Sequence, residues 1–208
     1  MAQARRSLLP LTGAVFFVLF VLTFILSGEA PGADESGEEI ISFFSEDESK
    51  HSIASIVGAL AAVFFLFFVG SLRSVLRPAE GGPGTLSAVA FGGGVVAATG
   101  MLIFSAIAFT LVEGIDNFEP AAAQVLNAMN MNFFFPLAGG LATLLIATGL
   151  VSVRTGALPS WLAWAALVIG AATVTPLGFF AFLASIAWVL VASIVLWMGV
   201  PAASTTPA

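Results

Sequence analysis

The chain's one histidine, His51, follows Asp47 by four residues and Glu48 by three, spacings that put all three on one face of a helix. A nearby carboxylate favours the charged form of an imidazole, and histidine already titrates near neutrality. Asp47, Glu48 and His51 could therefore form a proton-responsive or cation-binding group. The plainer alternative assigns the two acids to helix capping and a solvated face. A second polar group is Gln124, Asn127 and Asn130, spaced i, i+3, i+6, with Asn132 on the other face. These amides could line a pocket or hydrogen-bond between helices. Alternatively they belong to a solvated lead-in helix that Pro120 opens in its first turn. Asp47, Glu48, His51, Gln124, Asn127 and Asn130 make up the candidate outer polar cluster.

Little else in the sequence can do chemistry. Without cysteine there is no disulfide, thiolate metal site or nucleophilic thiol. A haem held by two histidines needs a second histidine. A retinal Schiff base needs a lysine inside the membrane, and the sole lysine, Lys50, lies in a polar stretch. Aspartyl proteolysis within the membrane needs two aspartates in spans that contain none. No GxSxG supports a serine hydrolase, and zinc hydrolysis lacks ligands. Ion-coupled carriers usually keep ionisable residues within the membrane, and the apolar segments have essentially none. No GxxxxGK[ST] occurs, and the five dispersed arginines leave no nucleic-acid footprint. The expectation is a protein that is not an enzyme, holds no cofactor or metal and binds no nucleic acid.

The elements that position these residues are read from composition. Of 208 residues, 59% are hydrophobic and 9% charged, with a mean hydropathy of +1.08. Water-soluble domains are about a quarter charged, so the chain reads as an integral membrane protein. A span needs about 20 apolar residues to cross roughly 30 Å of hydrocarbon. Spans are expected at about 8–27, 51–72, 85–112, 132–153, 159–175 and 178–198. The first comes after two arginines and resembles a signal peptide, but its apolar run exceeds the usual signal core of about 7–15 residues, so a retained helix is expected. The apolar run from Pro159 to Val200 is too long for one helix, and Thr175-Pro176-Leu177-Gly178 divides it into a hairpin. A five-helix chain with one long tilted segment is the alternative.

Charge sets the expected orientation. Alternating loops put Arg5, Arg6, Arg73, Arg77 and Arg154 on one side and Lys50 alone on the other. The positive-inside rule makes the arginine side cytoplasmic, with both termini there. Eleven of the twelve acids then lie outside, Glu80 being the exception. Trp161, Trp164 and Trp197 fall at cytoplasmic helix ends, where indoles favour the interface.

The outer loop, 28–50, carries eight acids. Ser36-x-x-Glu39 is a capping-box pattern, and Ile40, Ile41, Phe43 and Phe44 give a short amphipathic helix one apolar face. Ser45-x-x-Glu48 repeats the box, so the second span should begin outside the bilayer. In that span, the narrow stripe of His51, Ser55, Gly58 and Ala62 should meet other helices. Ile53, Ile56, Val57, Leu60, Val63, Phe64, Phe67 and Phe68 should meet lipid. The third span repeats this, with Ser87, Gly94, Ala98 and Ser105 inward and Val89, Val96, Ile103 and Ile107 outward. Pro136 and Gly139-Gly140 could unwind the fourth span beside a cavity, or simply kink it and pack tightly. Phe133–Phe135 and Phe64–Phe68 read as bulk rather than a cofactor box.

Three stretches carry a resemblance: SGEEIISFF before the second span, LRPAEGGPGTLSAVAFGGGVVAA entering the third, and LIATGLVSVRTGALPSWLAWAALVIG joining the fourth and fifth. Together they resemble a group of small, uncharacterised six-helix integral membrane proteins of actinobacteria, of the domain-of-unknown-function type. The resemblance implies six helices and a bacterial inner membrane, and no activity. The outer loop here is more acidic than that pattern.

The expected architecture is all-α: a bundle of six transmembrane helices with a short amphipathic outer helix. The expected role is structural or interacting, or binding of a lipid or apolar small molecule. Its partners would be the bilayer, another membrane protein or a second copy. The alternatives are a small transporter or channel component for a neutral solute, and an outward-facing pH or cation sensor. A transporter needs a water-lined cavity reaching mid-membrane near Pro136. A lipid binder needs an apolar cavity or lateral opening, expected to be lined by Phe, Leu and Met.

Overall fold

The computed structural model describes residues 7–29, 31–32, 34–132 and 134–199. Arg5, Arg6, Phe133, Val200 and both termini, on which parts of the orientation and packing expectations rest, lie outside the described residues.

Eight α-helices and no strand occur among the described residues. A 3₁₀ turn, Leu9–Leu11, leads into α1 (Thr12–Ser27). The outer loop folds into α2 (Gly37–Glu46), and α3 (Glu48–Glu80) starts one residue later. Next come α4 (Thr85–Gly114), the 3₁₀ turn Ile115–Asn117 and α5 (Pro120–Asn132). The last three are α6 (Phe134–Thr155), α7 (Ser160–Ala172) and α8 (Gly178–Met198). Five segments are long and apolar enough to cross a membrane; α7, with 13 residues, is the shorter apolar helix between them.

Six of these helices close a ring. α1 packs on α3, α3 on α4, α4 on α6, α6 on α7, α7 on α8, and α8 returns to α1. The ring is filled by Phe16, Phe65, Phe68, Leu72, Leu76, Leu141, Leu144, Leu145 and Val189, all essentially without exposed surface. Phe68 departs from the lipid-facing expectation. Gly13 of α1 lacks a side chain at the point where the Phe68 ring lies, so the ring turns inward. Most of the α3 pattern holds: His51, Ser55 and Ala62 are buried and Ile53, Ile56, Leu60, Val63 and Phe67 exposed, while Val57, Gly58 and Phe64 are half-buried, Phe64 against the core. In α4, Ser87, Gly94, Ala98 and Ser105 all face inward.

Lipid gives helices no hydrophobic reason to associate, so backbones must approach closely through small residues. The α4–α6 crossing does this. A Cβ on Gly93 would lie 2.6 Å from the Leu144 nitrogen, and one on Gly140 would lie 2.8 Å from the Gly93 carbonyl oxygen.

Side-chain hydrogen bonds between helices add polar latches to the ring. The Ser193 hydroxyl of α8 donates to the Pro10 carbonyl (2.6 Å) and accepts from the Ala14 N–H (3.0 Å), bridging the first turn of α1. Trp188 Nε1 donates to the Leu162 carbonyl at 3.0 Å, joining α8 to α7. At the α7–α8 turn, the Thr173 and Thr175 hydroxyls donate to the Ile169 and Ala172 carbonyls. The same two carbonyls also accept the Thr173 and Thr175 backbone N–H groups, at a helix end surrounded by exposed Val174, Leu177, Phe179 and Phe180. The helix break expected at Thr175–Gly178 is therefore a capped turn within apolar surroundings.

Both ends of the ring carry distinctive features. At the arginine end, Glu80 closes α3 and accepts from the Leu86 and Ser87 N–H groups, both at 2.8 Å, capping α4. Arg73 lies 5.2 Å from the centre of the Phe91 ring. Trp161 and Trp164 are exposed on the first turns of α7. At the opposite end, α2 and α5 form a cap with its own small core of Ile40, Phe44, Leu111, Val112, Ile115 and Ala123.

Candidate functional site

The cap fixes the position of each polar candidate. The Ser36 box forms as expected: the Glu39 N–H donates to the Ser36 hydroxyl, and Glu39 Oε2 accepts from the Ser36 N–H at 3.0 Å. Hydrogen bonds from the Ser36 N–H and hydroxyl hold the Glu39 carboxyl below the usual carboxylate range. Glu35 is pushed up, first by its hydrogen bond to Glu39 and then by the charge beside it.

The second box does not form. The Ser45 hydroxyl donates to the Ile41 carbonyl, so α2 runs on through Ser45, and Asp47 becomes the joint between α2 and α3. The Asp47 carbonyl accepts from the Lys50 and His51 N–H groups, and its carboxylate sits 3.5 Å from Lys50 Nζ. Asp47 and Glu48 are exposed, whereas His51 is only 6% exposed. The imidazole lies against two rings of α2, its centre 4.7 Å from Phe43 and 5.2 Å from Phe44. His51 thus fastens the cap to the ring. Helical spacing puts the three residues on one face; the aromatic pair of α2 covers the imidazole, while Asp47 and Glu48 stay exposed beside it.

The amides hold the outer loop. Gln124 Nε2 donates to the Glu35 carbonyl at 3.0 Å. Asn127 Nδ2 donates to the Pro31 and Gly32 carbonyls at 3.1 and 3.0 Å, and among the described residues its buried Oδ1 has no partner. Asn130 is also buried, and among the described residues its Oδ1 has no partner either. Gln124 and Asn127 bond to the loop and form no hydrogen bond with His51. Among the described residues, no group of three His, Cys, Asp or Glu side chains is placed to hold a metal ion.

An apolar cavity lies elsewhere, between α4 and α6. It is a groove of about 470 Å³ opening sideways. Val89, Gly92, Gly93 and Val96 line it from α4, and Pro136, Gly139, Gly140 and Thr143 from α6. Its one hydroxyl, on Thr143, is already engaged with the Gly139 carbonyl at 2.8 Å. The described residues around Pro136, Phe134–Thr155, are helical, so α6 is not unwound there. A second crevice, of about 150 Å³, lies between α1 and α8, lined by Phe17, Phe20, Val21, Phe24, Ile25, Leu183 and Ile186.

The lining of the main groove differs from the expected Phe, Leu and Met; glycines leave the space instead. The signal in the sequence was the pairing of Gly92-Gly93 with Gly139-Gly140. Only the helix crossing shows that one member of each pair faces the neighbouring helix and the other faces out. Comparison with protein-family models, curated proteins and solved structures finds no match.

Proposed function

We propose that this chain is a non-enzymatic integral membrane protein that binds an apolar ligand, a lipid, in the lateral groove between α4 and α6. The groove itself supports this reading: its volume of about 470 Å³ lies within the roughly 300–1,000 Å³ of small-molecule sites, and its walls are apolar. The transporter alternative needs a water-lined cavity beside Pro136. The cavity at that position is apolar and faces sideways, which favours a lipid over a polar solute. We further propose a bacterial plasma membrane, with the arginine end and both termini cytoplasmic and the acidic cap outside. The chain would stand with the six-helix actinobacterial proteins it resembles.

The test is phospholipid phosphate carried per chain after purification in a mild detergent and extensive washing. Retention of about one phospholipid per chain is expected; a chain stripped clean under conditions that leave it folded would sink the reading.

A further inference from the structure

The paired glycines divide their work. Gly93 and Gly140 are packing residues, because a Cβ on either would strike backbone of the opposing helix. Gly92 and Gly139 face the other way, and a Cβ on either would meet nothing within 4 Å. Glycine in a helix interior is less stable than alanine, so nothing in the bundle itself calls for glycine at these two positions. Their effect is to keep the groove open.

Resting on the lipid-binding reading above, we propose that Gly92 and Gly139 form the floor of a seat for one linear acyl chain of a bilayer phospholipid. Size separates this occupant from a protein. Eight residues line the groove, whereas a stable protein interface takes about 20–30 residues a side. On α6 the lining runs from Pro136 to Thr143, about 10 Å at 1.5 Å per residue, while a partner helix must follow about 30 Å of hydrocarbon. Shape selects the class of lipid. In an apolar solvent the gain comes from contacts that an unfilled groove forfeits. A flexible single chain can follow a narrow channel between two helices, and a rigid fused-ring lipid cannot. No headgroup is specified, since the only polar side chain in the groove, Thr143, is satisfied within its own helix.

The open glycines allow a clean experiment. Gly139→Val and Gly92→Val fill the groove without meeting a neighbour, and Gly70→Val is the control, since Gly70 on α3 is equally open but lies outside the groove. Each protein is mixed with dioleoyl phosphatidylethanolamine in detergent, and bound lipid is counted by native mass spectrometry beside a thermal midpoint. The parent and Gly70→Val are expected to retain one lipid, with at least about a fivefold loss in both groove variants at unchanged midpoint. Displacement by cholesterol hemisuccinate should be weak. Full retention by the folded groove variants overturns the inference together with the α4–α6 placement and points to the α1–α8 crevice, while lipid binding by the protein as such stands. Absence of lipid on the parent removes that reading itself.

Discussion

Ser193 shows how much one hydroxyl can do inside an apolar bundle. Its oxygen stands between the Pro10 carbonyl and the Ala14 N–H, closing the first turn of α1 through a side chain of α8. Gly13, in the same turn, gives up its side-chain volume to Phe68 and Ser193. Such interhelical bonds are worth about 1 kcal/mol, because the separated helices also find partners for their polar groups. Ser193→Ala is therefore expected to lower stability by about 1 kcal/mol, read as a lower midpoint of denaturation in detergent. His51 acts by a different means, through ring packing against Phe43 and Phe44. The sequence showed that His51 lay on a packing face. It could not show what packed there, because the two phenylalanines arrive from a separate helix after a turn at Asp47.

At the scale of the element, α2 depends on its first turn. The Ser36–Glu39 box pairs N–H groups that the helix cannot pair itself, and it needs Glu39 ionised. With the Glu39 carboxyl held below its usual value of 4.5, this contribution is present at neutral pH and fades as pH falls through the lowered value. Glu35, raised above 4.5, works in the opposite sense: its protonation relieves repulsion within the pair. On acidification, α2 should therefore stay capped through the protonation of Glu35 and fray only below the range of Glu39. Amide chemical shifts of Ser36 and Glu39 between neutral pH and pH of about 3 would track this; Glu39→Ala should abolish the transition. The box was legible in the sequence because it is local, four residues with fixed roles. The apparent second box at Ser45–Glu48 failed for a physical reason. Serine inside a helix can donate to the carbonyl four residues back, and Ser45 does so to Ile41.

For the whole molecule, the arrangement is a ring with an acidic cap at one end and arginines at the other. The absence of cysteine makes its orientation easy to measure. Glu38→Cys on the cap should react with a membrane-impermeant maleimide added to intact cells, and Ser160→Cys at the arginine end should react only after permeabilisation. The reverse pattern would invert the topology. The segments that build the ring were readable from apolar length and from the Pro–Gly stops between them. α3 was the least complete: its 33 residues, about 50 Å, run past the hydrocarbon at both ends, and a hydropathy pattern reports only the apolar middle.

Composition and local rules were enough for the sequence alone to determine an all-helical membrane bundle, the helix breaks, the Ser36 cap, and the small faces of α3 and α4 turned inward. Each rests on helical period or on groups within four residues of one another. Tertiary structure decided which helices are neighbours, and so decided the site. It buried His51 against Phe43 and Phe44, gave Gln124 and Asn127 to the outer loop, and turned Phe68 inward against Gly13. It also set α4 across α6 so that Gly93 and Gly140 touch while Gly92 and Gly139 stand open. A glycine carries no side chain to indicate its role; only the backbone facing it separates a contact from a space.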